Sequence, residues 1–250
     1  MHTNYGDLCT EVYDISKPID YTKNDTVYYI ERLKKVEGKI LELGCGSGRI
    51  LIPLLQAGIE LDGLDNSTAM LASCIRRCNL LGLKPKLINR EMHDFNLGIQ
   101  YECIIIPSGT FQLIEGREVA LRALEVIYNH LNANGVLILD LFIPTNYDPN
   151  FISTRSWTTE KNEVLLLEEK NIEVNFIQQK IVSLLKYEKW KDGILIKSEL
   201  QRLPVSWYGV EEFKLILECV GFKSITISAD YRYNYYPQHN GQMITFEAKK

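Results

Sequence analysis

From about Gly38 onward, short apolar runs alternate with stretches whose apolar positions recur at helical spacing. Lys39-Ile40-Leu41-Glu42-Leu43 predicts a buried strand, and Gly44-Cys45-Gly46-Ser47-Gly48 a glycine turn behind it. Residues 49–57 then set Ile50, Leu51, Leu54 and Leu55 on one helical face, closed by Gly58 just past the helix end. Pro53 falls near the first turn, where its missing N–H costs little. Residues 60–65 predict a second strand. Asn66 or Ser67 caps a helix striped by Met70, Leu71, Cys74, Ile75, Cys78 and Leu81 and stopped by Gly82. Further strands are predicted at 85–89 and 102–106, a helix at 116–131, and a fifth strand at 136–142 after an Asn134-Gly135 turn. Strands this uniformly apolar, alternating with helices, indicate a parallel sheet covered on both faces.

After Pro144 the pattern changes. Residues 163–174, 181–190 and 194–203 read as strands, with Lys191-Asp192-Gly193 as a hairpin turn and Thr159-Glu160-Lys161-Asn162 as a polar loop ahead of them. They predict a small antiparallel sheet inserted into the parallel one or lying beside it. The chain then returns to a helix at 210–219, closed by Gly221, and to strands at 223–229 and 242–248. Between those strands lies Tyr231-Arg232-Tyr233-Asn234-Tyr235-Tyr236-Pro237, either a strand with an aromatic edge or part of a pocket wall. The first 38 residues form an amphipathic preamble, with Tyr28, Tyr29, Ile30 and Leu33 at helix positions. The expected fold is α/β, a Rossmann-like sheet with helices on both faces, an inserted antiparallel sheet and an N-terminal helical cover. One domain is expected over residues 1–250: cover at 1–38, core at 39–143 and 206–250, substrate-side insertion at 144–205.

Composition narrows the partners. The 250 residues carry 28 Lys+Arg against 32 Asp+Glu, a net charge of −4, with 46 % hydrophobic and 24 % charged positions. This is ordinary globular composition and excludes disorder, collagen and coiled coil. A chain of this length buries roughly 70–75 % of its unfolded surface without staples. The mild acidity argues against a nucleic-acid partner, which needs a basic face. Residues 1–7 show neither a basic n-region nor an apolar h-region, so no signal peptide is read there. No apolar run approaches the ~18 residues of a membrane helix. Cys9, Cys45, Cys74, Cys78, Cys103 and Cys219 lack CxxC spacing, which predicts buried thiols rather than disulfides or zinc ligands. No metal site and no membrane partner are expected, and the cytoplasm is the expected compartment.

The glycine turn carries the chemistry. Glycines between a strand and a helix let backbone approach a ligand closely at the switch point of the sheet. A dinucleotide fingerprint wants GxGxxG, with a pyrophosphate on the helix N-terminus. Here the last glycine arrives one residue early, at Gly48, and Arg49 takes the place of the third fingerprint glycine. Glu42 would face a pyrophosphate unfavourably and suits a ligand with positive charge. Asp65 ends the second strand, where an acid takes the hydroxyls of a ribose. A ribose with a cationic, phosphate-free tail describes S-adenosylmethionine better than NAD.

At these residues the sequence resembles the class I SAM-dependent methyltransferases. Glu42-x-Gly44-x-Gly46-x-Gly48 is similar to their first motif, and Gly63-Leu64-Asp65-Asn66-Ser67 to their ribose-binding strand end. Glu91-Met92-x-x-Phe95 looks like the segment that flanks the adenine, Pro107-Ser108-Gly109-Thr110-Phe111-Gln112 like the loop after the fourth strand, and Gly135-Val136-Leu137 like the entry to the fifth. Tyr13-Asp14 resembles a pair that often precedes the first motif. The departures are Glu91 for the commoner Asp and Asn134 for the first Gly of a Gly-Gly pair. The resemblance implies a cofactor site drawn from Tyr13, Glu42, Gly44, Cys45, Gly46, Arg49, Asp65, Asn66, Met70, Glu91, Met92 and Pro107. It further implies S-adenosyl-L-methionine as cofactor, with S-adenosyl-L-homocysteine as product. The antiparallel addition resembles a small-molecule branch containing glycine/sarcosine-type and amino-sugar N-methyltransferases.

The expected activity is transfer of a methyl group to an amine or hydroxyl of a small molecule, by a monomer or homodimer. Such an in-line displacement rests mainly on alignment and proximity, and a base is needed only where the acceptor arrives protonated. No catalytic residue is identified; His93, Gln112 and His239 are candidates. His93 is either a loop residue or a contact beside the adenine segment, and His239 either surface or acceptor site. Asp140 reads equally as structural or catalytic, and Arg49 either reaches the methionine carboxylate or faces solvent. Two other classes stay open, an NAD(P)-dependent reductase and a non-catalytic SAM-binding protein.

Overall fold

The computed structural model describes residues 5–21 and 24–250. Residues 1–4 and 22–23, part of the predicted cover and of the stretch read for a signal peptide, lie outside the described residues. In chain order the elements begin with α1 (Asp7–Ser16), α2 (Asn24–Leu33), β1 (Ile40–Leu43), α3 (Leu51–Gln56), β2 (Leu61–Asp65) and α4 (Thr68–Leu80). They continue with β3 (Leu87–Asn89), β4 (Tyr101–Ile106), a 3₁₀ turn (Thr110–Leu113), α5 (Arg117–His130) and β5 (Leu131–Phe142). Four strands follow, β6 (Ile152–Thr158), β7 (Val164–Asn175), β8 (Lys180–Lys191) and β9 (Ile194–Ser206). The chain closes with α6 (Val210–Val220), β10 (Lys223–Ala229) and β11 (Met243–Lys249).

The main sheet runs β10-β11-β5-β4-β1-β2-β3, parallel from β5 to β3, with β11 and β10 antiparallel at one edge. Its central strands are buried on both faces, which is why they read as mostly apolar runs, while the edge strands β3 and β10 are only partly covered. On one face Leu41, Ile104, Ile106 and Leu139 pack under α5 and α6. On the other, Ile40, Ile105 and Ile138 pack under α2, α3 and α4. The predicted Rossmann-like sheet with helices on both faces is the observed architecture, and the strands after Pro144 form a separate antiparallel sheet, β6-β7-β8-β9.

Several local expectations differ from the structure. β6 is not among the predicted strands; its only large apolar residues are Ile152 and Trp157, and a polar edge strand carries little hydrophobic signal. β5 begins at Leu131, so Asn134 (φ +67°) is an irregularity inside a strand rather than a turn before one. In α4 the stripe holds at Met70, Leu71, Cys74 and Cys78, but Ile75 and Leu81 are exposed while Ser73 and Arg77 are buried. The reason is α1, whose Asp14 accepts from Arg77 at 2.9 Å and from the Ser73 hydroxyl, so that polar side of α4 becomes an interface. Ser67, not Asn66, caps α4, accepting from Met70 N–H at 3.1 Å. The Tyr231–Tyr236 stretch is a run of turns, not a strand; Tyr233, Tyr235 and Tyr236 are exposed and only Tyr231 turns inward.

The cover is fastened at two ends. Leu8, Cys9 and Val12 of α1 pack on Leu165, Leu167, Leu185 and Tyr187 of the antiparallel sheet. Glu199 of β9 accepts from Leu8 and Cys9 N–H at 3.0 and 3.3 Å, placing an anion where the helix dipole is positive. At its far end, Arg77 joins Asp14 and the Lys17 carbonyl of the cover to Ser47 of the glycine loop. α1 is therefore a strut between the inserted sheet and the loop after β1. Among the described residues no helix is long and apolar enough to cross a membrane.

Candidate active site

β1 and β4 are neighbours whose following helices lie on opposite faces of the sheet, so a crevice opens beyond their carboxyl ends. The loop after β1 enters it from one side and the loop 107–113 from the other. Gly44 has φ +71°, and a Cβ there would stand 2.2 Å from Thr110 Cγ2. Only glycine permits that approach. Thr110 is held in place because its hydroxyl donates to the Pro107 carbonyl at 2.8 Å.

At the end of β2, Asp65 accepts from Gly46 N–H and Ser67 N–H, each at 2.8 Å. A carboxylate offers about four lone-pair positions, so Asp65 keeps capacity for ribose hydroxyls. Asn66 donates to Glu91 at 3.1 Å, which ties the ends of β2 and β3 together beside the segment expected to flank an adenine. Glu42 is 2 % exposed, and its Oε2 has no hydrogen-bond partner among the described residues. Burial pushes its carboxyl well above the ordinary range; Arg49 opposes the shift, and Asp65 and Asp25 add to it. A buried, under-satisfied carboxylate with acidic neighbours attracts a cation and repels a pyrophosphate. These residues fit S-adenosylmethionine: Glu42 for its positive charge, Asp65 for its ribose, Gly44 for close passage of its chain.

Two cavities meet here. One, of about 230 Å³, is lined by Gly44, Asp65, Asn66, Glu91, Met92 and His93. The other, of about 430 Å³, is lined by Tyr13, Asp25, Arg49, Ser108, Phe142 and Tyr231. Tyr5, Thr110 and Leu113 belong to both walls.

The structure thus brings Gly44, Asp65, Asn66, Glu91 and Met92 together in one cavity and Tyr13 and Arg49 in the next. Glu42, Cys45, Gly46, Met70 and Pro107, also expected at the cofactor, line neither cavity. Cys45 packs beneath β2, Met70 lies under Gly46, and Pro107 offers its carbonyl to the 3₁₀ turn. Gly46 spends its N–H on Asp65. Arg49 neither faces solvent nor stands free: it pairs with Asp25 at 2.7 Å and donates to the Ser108 hydroxyl. His239 is exposed on the loop before β11 and lines neither cavity. Tyr5, Thr110 and Asp25 were missed by sequence reasoning. Thr110 lay within the quoted loop but nothing in its identity announced the contact with Gly44, and Tyr5 and Asp25 sit in the cover, whose placement is tertiary.

Gln112 is a structural clip. It is fully buried, donates to the Phe142 and Ser206 carbonyls at 2.8 and 2.9 Å, and accepts from Phe142 N–H at 2.7 Å. It joins the 3₁₀ turn, β5 and β9 with both of its N–H groups and its oxygen, and an amide is no base for a substrate proton. Replacing it with Ala leaves three backbone groups unpaired around a cavity, at an expected cost of about 2–4 kcal/mol. Urea denaturation should register that loss while the affinity for S-adenosylhomocysteine, measured by calorimetry, stays within about twofold.

Comparison with known proteins agrees with this geometry. Residues 40–135 match the family described as a methyltransferase domain. The chain is 25 % identical over 156 residues to dTDP-3-amino-3,6-dideoxy-alpha-D-glucopyranose N,N-dimethyltransferase of Streptomyces fradiae, covering 60 % of each. It is 29 % identical over 134 residues to glycine/sarcosine N-methyltransferase of Halorhodospira halochloris, covering 50 % of this chain and 47 % of that protein. The matches thus span about half the length of these curated relatives. Among solved structures, the CcbJ methyltransferase of Streptomyces caelestis superposes with a TM-score of 0.76 at 17 % identity, over 98 % of this chain and 97 % of that one. Residues 40–135 thus resemble a methyltransferase domain, and the chain as a whole shares the fold of that solved methyltransferase.

Proposed function

We propose that the protein transfers the methyl group of S-adenosyl-L-methionine to an amine of a small molecule. The observation that carries this is Glu42, a buried carboxyl with an unpartnered oxygen two residues before Gly44, which lines the first of the two adjoining cavities. The relatives' names, which describe methylation of a sugar amine and of glycine or sarcosine, support an amine acceptor. When bound, the cofactor supplies an electrophilic methyl group on a sulfonium. The protein's own residues align and enclose: Asp65 and Glu42 hold the two ends of the cofactor, and Tyr5 and Thr110 form the partition between the cavities. The second cavity, walled by Tyr13, Phe142 and Tyr231, receives the acceptor and excludes water. Residues 1–38 and 144–205 serve this site as cover over a single catalytic domain. The acceptor is a small molecule rather than nucleic acid or membrane, in keeping with the net charge of −4. The protein works as a monomer or homodimer in the cytoplasm, where its six free thiols stay reduced.

Calorimetry with S-adenosylhomocysteine and NADPH tests the cofactor, and only the former is expected to bind; the reverse result sinks the proposal in favour of a reductase. A tritiated-methyl screen over amines, hydroxyls and thiols tests the reaction. Tight S-adenosylhomocysteine binding with no transfer to any of them would mark a non-catalytic binding protein.

A further inference from the structure

Asp140, near the end of β5, is fully buried, yet it is linked to the acceptor cavity. Its Oδ2 accepts from Ser108 N–H at 2.8 Å and from the Tyr231 hydroxyl at 3.1 Å, and its Oδ1 from the Thr245 hydroxyl at 2.7 Å. Ser108 and Tyr231 both line that cavity. They also share an unusual backbone: φ is +61° at Ser108 and +59° at Tyr231, left-handed conformations that an L side chain rarely adopts and a bulky aromatic hardly ever. Tyr231 is held there by the preceding turn, in which Asp230 accepts from Gln242 and from Met243 N–H at 2.7 and 3.1 Å. Strained residues persist where surrounding structure over-determines them, and they gather at functional sites. Here two such residues converge on one buried acid.

We propose that Tyr231 and Asp140 form a proton relay that deprotonates an ammonium acceptor in the second cavity. The proposal rests on the methyltransferase reading above and adds the protonation state of its substrate. An amine must shed a proton before its nitrogen lone pair can attack carbon. In the relay the ammonium N–H bond breaks toward the Tyr231 oxygen as the Tyr231 O–H proton passes to Asp140 Oδ2. The amine is left neutral, Tyr231 neutral and Asp140 a carboxylic acid. After the methylated product leaves, the proton returns along the same path to solvent, so each turnover releases one proton. Tyr231 is the catalytic residue of the pair and Asp140 acts through it.

The electrostatics suit this exchange. Burial raises the Asp140 carboxyl to about 6, opposed by hydrogen bonds from Ser108, Thr245 and Tyr231 and by nearby Tyr29. Burial and the Asp140 charge push the Tyr231 phenol upward, so it passes a proton in concert rather than resting as phenolate. The remaining groups facing the pair are Tyr28 and Asp25 of α2 and Arg49, with Asp25 and Arg49 neutralising each other at 2.7 Å. An ammonium entering the cavity loses solvation and becomes more acidic, which narrows its distance from Asp140.

The test is the pH dependence of methyl transfer to a panel of glycine, sarcosine, glucosamine and phenethylamine. It compares wild type, Tyr231→Phe and Asp140→Asn, with S-adenosylhomocysteine affinity recorded for each. Tyr231→Phe preserves the ring and the fold if Asp140→Asn does not. The expected result is a fall in kcat of about 100-fold at neutral pH in Tyr231→Phe. That deficit should close as pH rises past the pKa of the free amine, because a neutral amine needs no relay. A deficit equal at every pH, or none, overturns the relay and leaves the methyltransferase reading intact. S-adenosylhomocysteine binding with transfer only to hydroxyls or thiols, or to no amine of the panel, also overturns it. Failure of wild type to bind S-adenosylhomocysteine overturns the parent reading itself.

Discussion

Replacing Gly44 with Ala is expected to weaken S-adenosylhomocysteine binding by at least about 100-fold, since two independent penalties fall on the same atom. The first is conformational: at φ +71° an L residue pays roughly 1–2 kcal/mol that glycine does not. The second is steric: the new Cβ stands 2.2 Å from Thr110 Cγ2, well inside contact distance. Thr110 has little room to yield, because its hydroxyl and N–H both bond the Pro107 carbonyl, at 2.8 and 3.2 Å. The loop after β1 must therefore move, and Glu42 and Gly46 move with it. The double variant Gly44→Ala/Thr110→Ser removes Cγ2 and should recover part of the affinity, but not the conformational share. Calorimetric titration checks both. Unchanged affinity in Gly44→Ala would mean that the crevice between β1 and β4 is not where the cofactor lies.

Glu42→Gln should move stability and binding in opposite directions. At low pH the carboxyl is protonated in folded and unfolded chains alike. As pH rises, the unfolded chain releases its proton first, because burial holds the folded-state carboxyl well above its ordinary range. Stability contributed by Glu42 therefore declines from the unfolded pKa upward, until the folded carboxyl also ionises. Gln removes that decline, so the variant should be more stable than wild type by about 1–3 kcal/mol at pH 8 and indistinguishable from it near pH 4. A bound cation reverses the balance by favouring the carboxylate. Wild type should then release a proton on binding S-adenosylmethionine over the pH range in which the free carboxyl is still protonated, seen as a binding enthalpy that varies with the ionisation enthalpy of the buffer. The variant should lose that dependence and about 10–100-fold in affinity, the size of one hydrogen bond to a charged group. A variant that is less stable, or that binds S-adenosylmethionine as wild type does, would show that Glu42 is not the countercharge.

Much of the parallel sheet was legible because its signals are local and reinforce one another. The 40–43, 61–65 and 101–106 runs are mostly apolar, each broken by a single interior acid (Glu42, Asp62 and Glu102), a density that strands buried on both faces require. The expected roles at Gly44, Glu42 and Asp65 followed from where a glycine turn and two acids fall relative to strand ends. Legibility failed where a residue's neighbours come from distant sequence. The side chains of Cys45 and Met70 pack against Gly63 and Gly46 rather than lining either cavity, since side chains on a turn or a helix alternate between crevice and core. Gln112, a candidate for chemistry, instead spends both N–H groups and an oxygen lone pair on Phe142 and Ser206. Ile75 and Arg77 exchanged their expected burial because α1 lies against that side of α4. β6 escaped notice because an edge strand needs no apolar pattern to pair with β7.

The sequence by itself determined the Rossmann-like sheet and the position of its glycine loop, and it carried the expectation of which ligand that loop admits. Periodicity, glycine placement and the sign of charge at strand ends act over a few residues and can be read in one dimension. Only the tertiary structure decided which residues close the crevice and what stands behind the acceptor cavity. Thr110 meets Gly44 across 66 positions, Arg49 meets Asp25 across 24, and Tyr231 meets Asp140 across 91. Those pairings exist because the sheet brings the ends of β1, β4 and β5 side by side and α1 and α2 fold over them. No local pattern encodes such contacts, because their free energy comes from groups that become neighbours only after the core has formed.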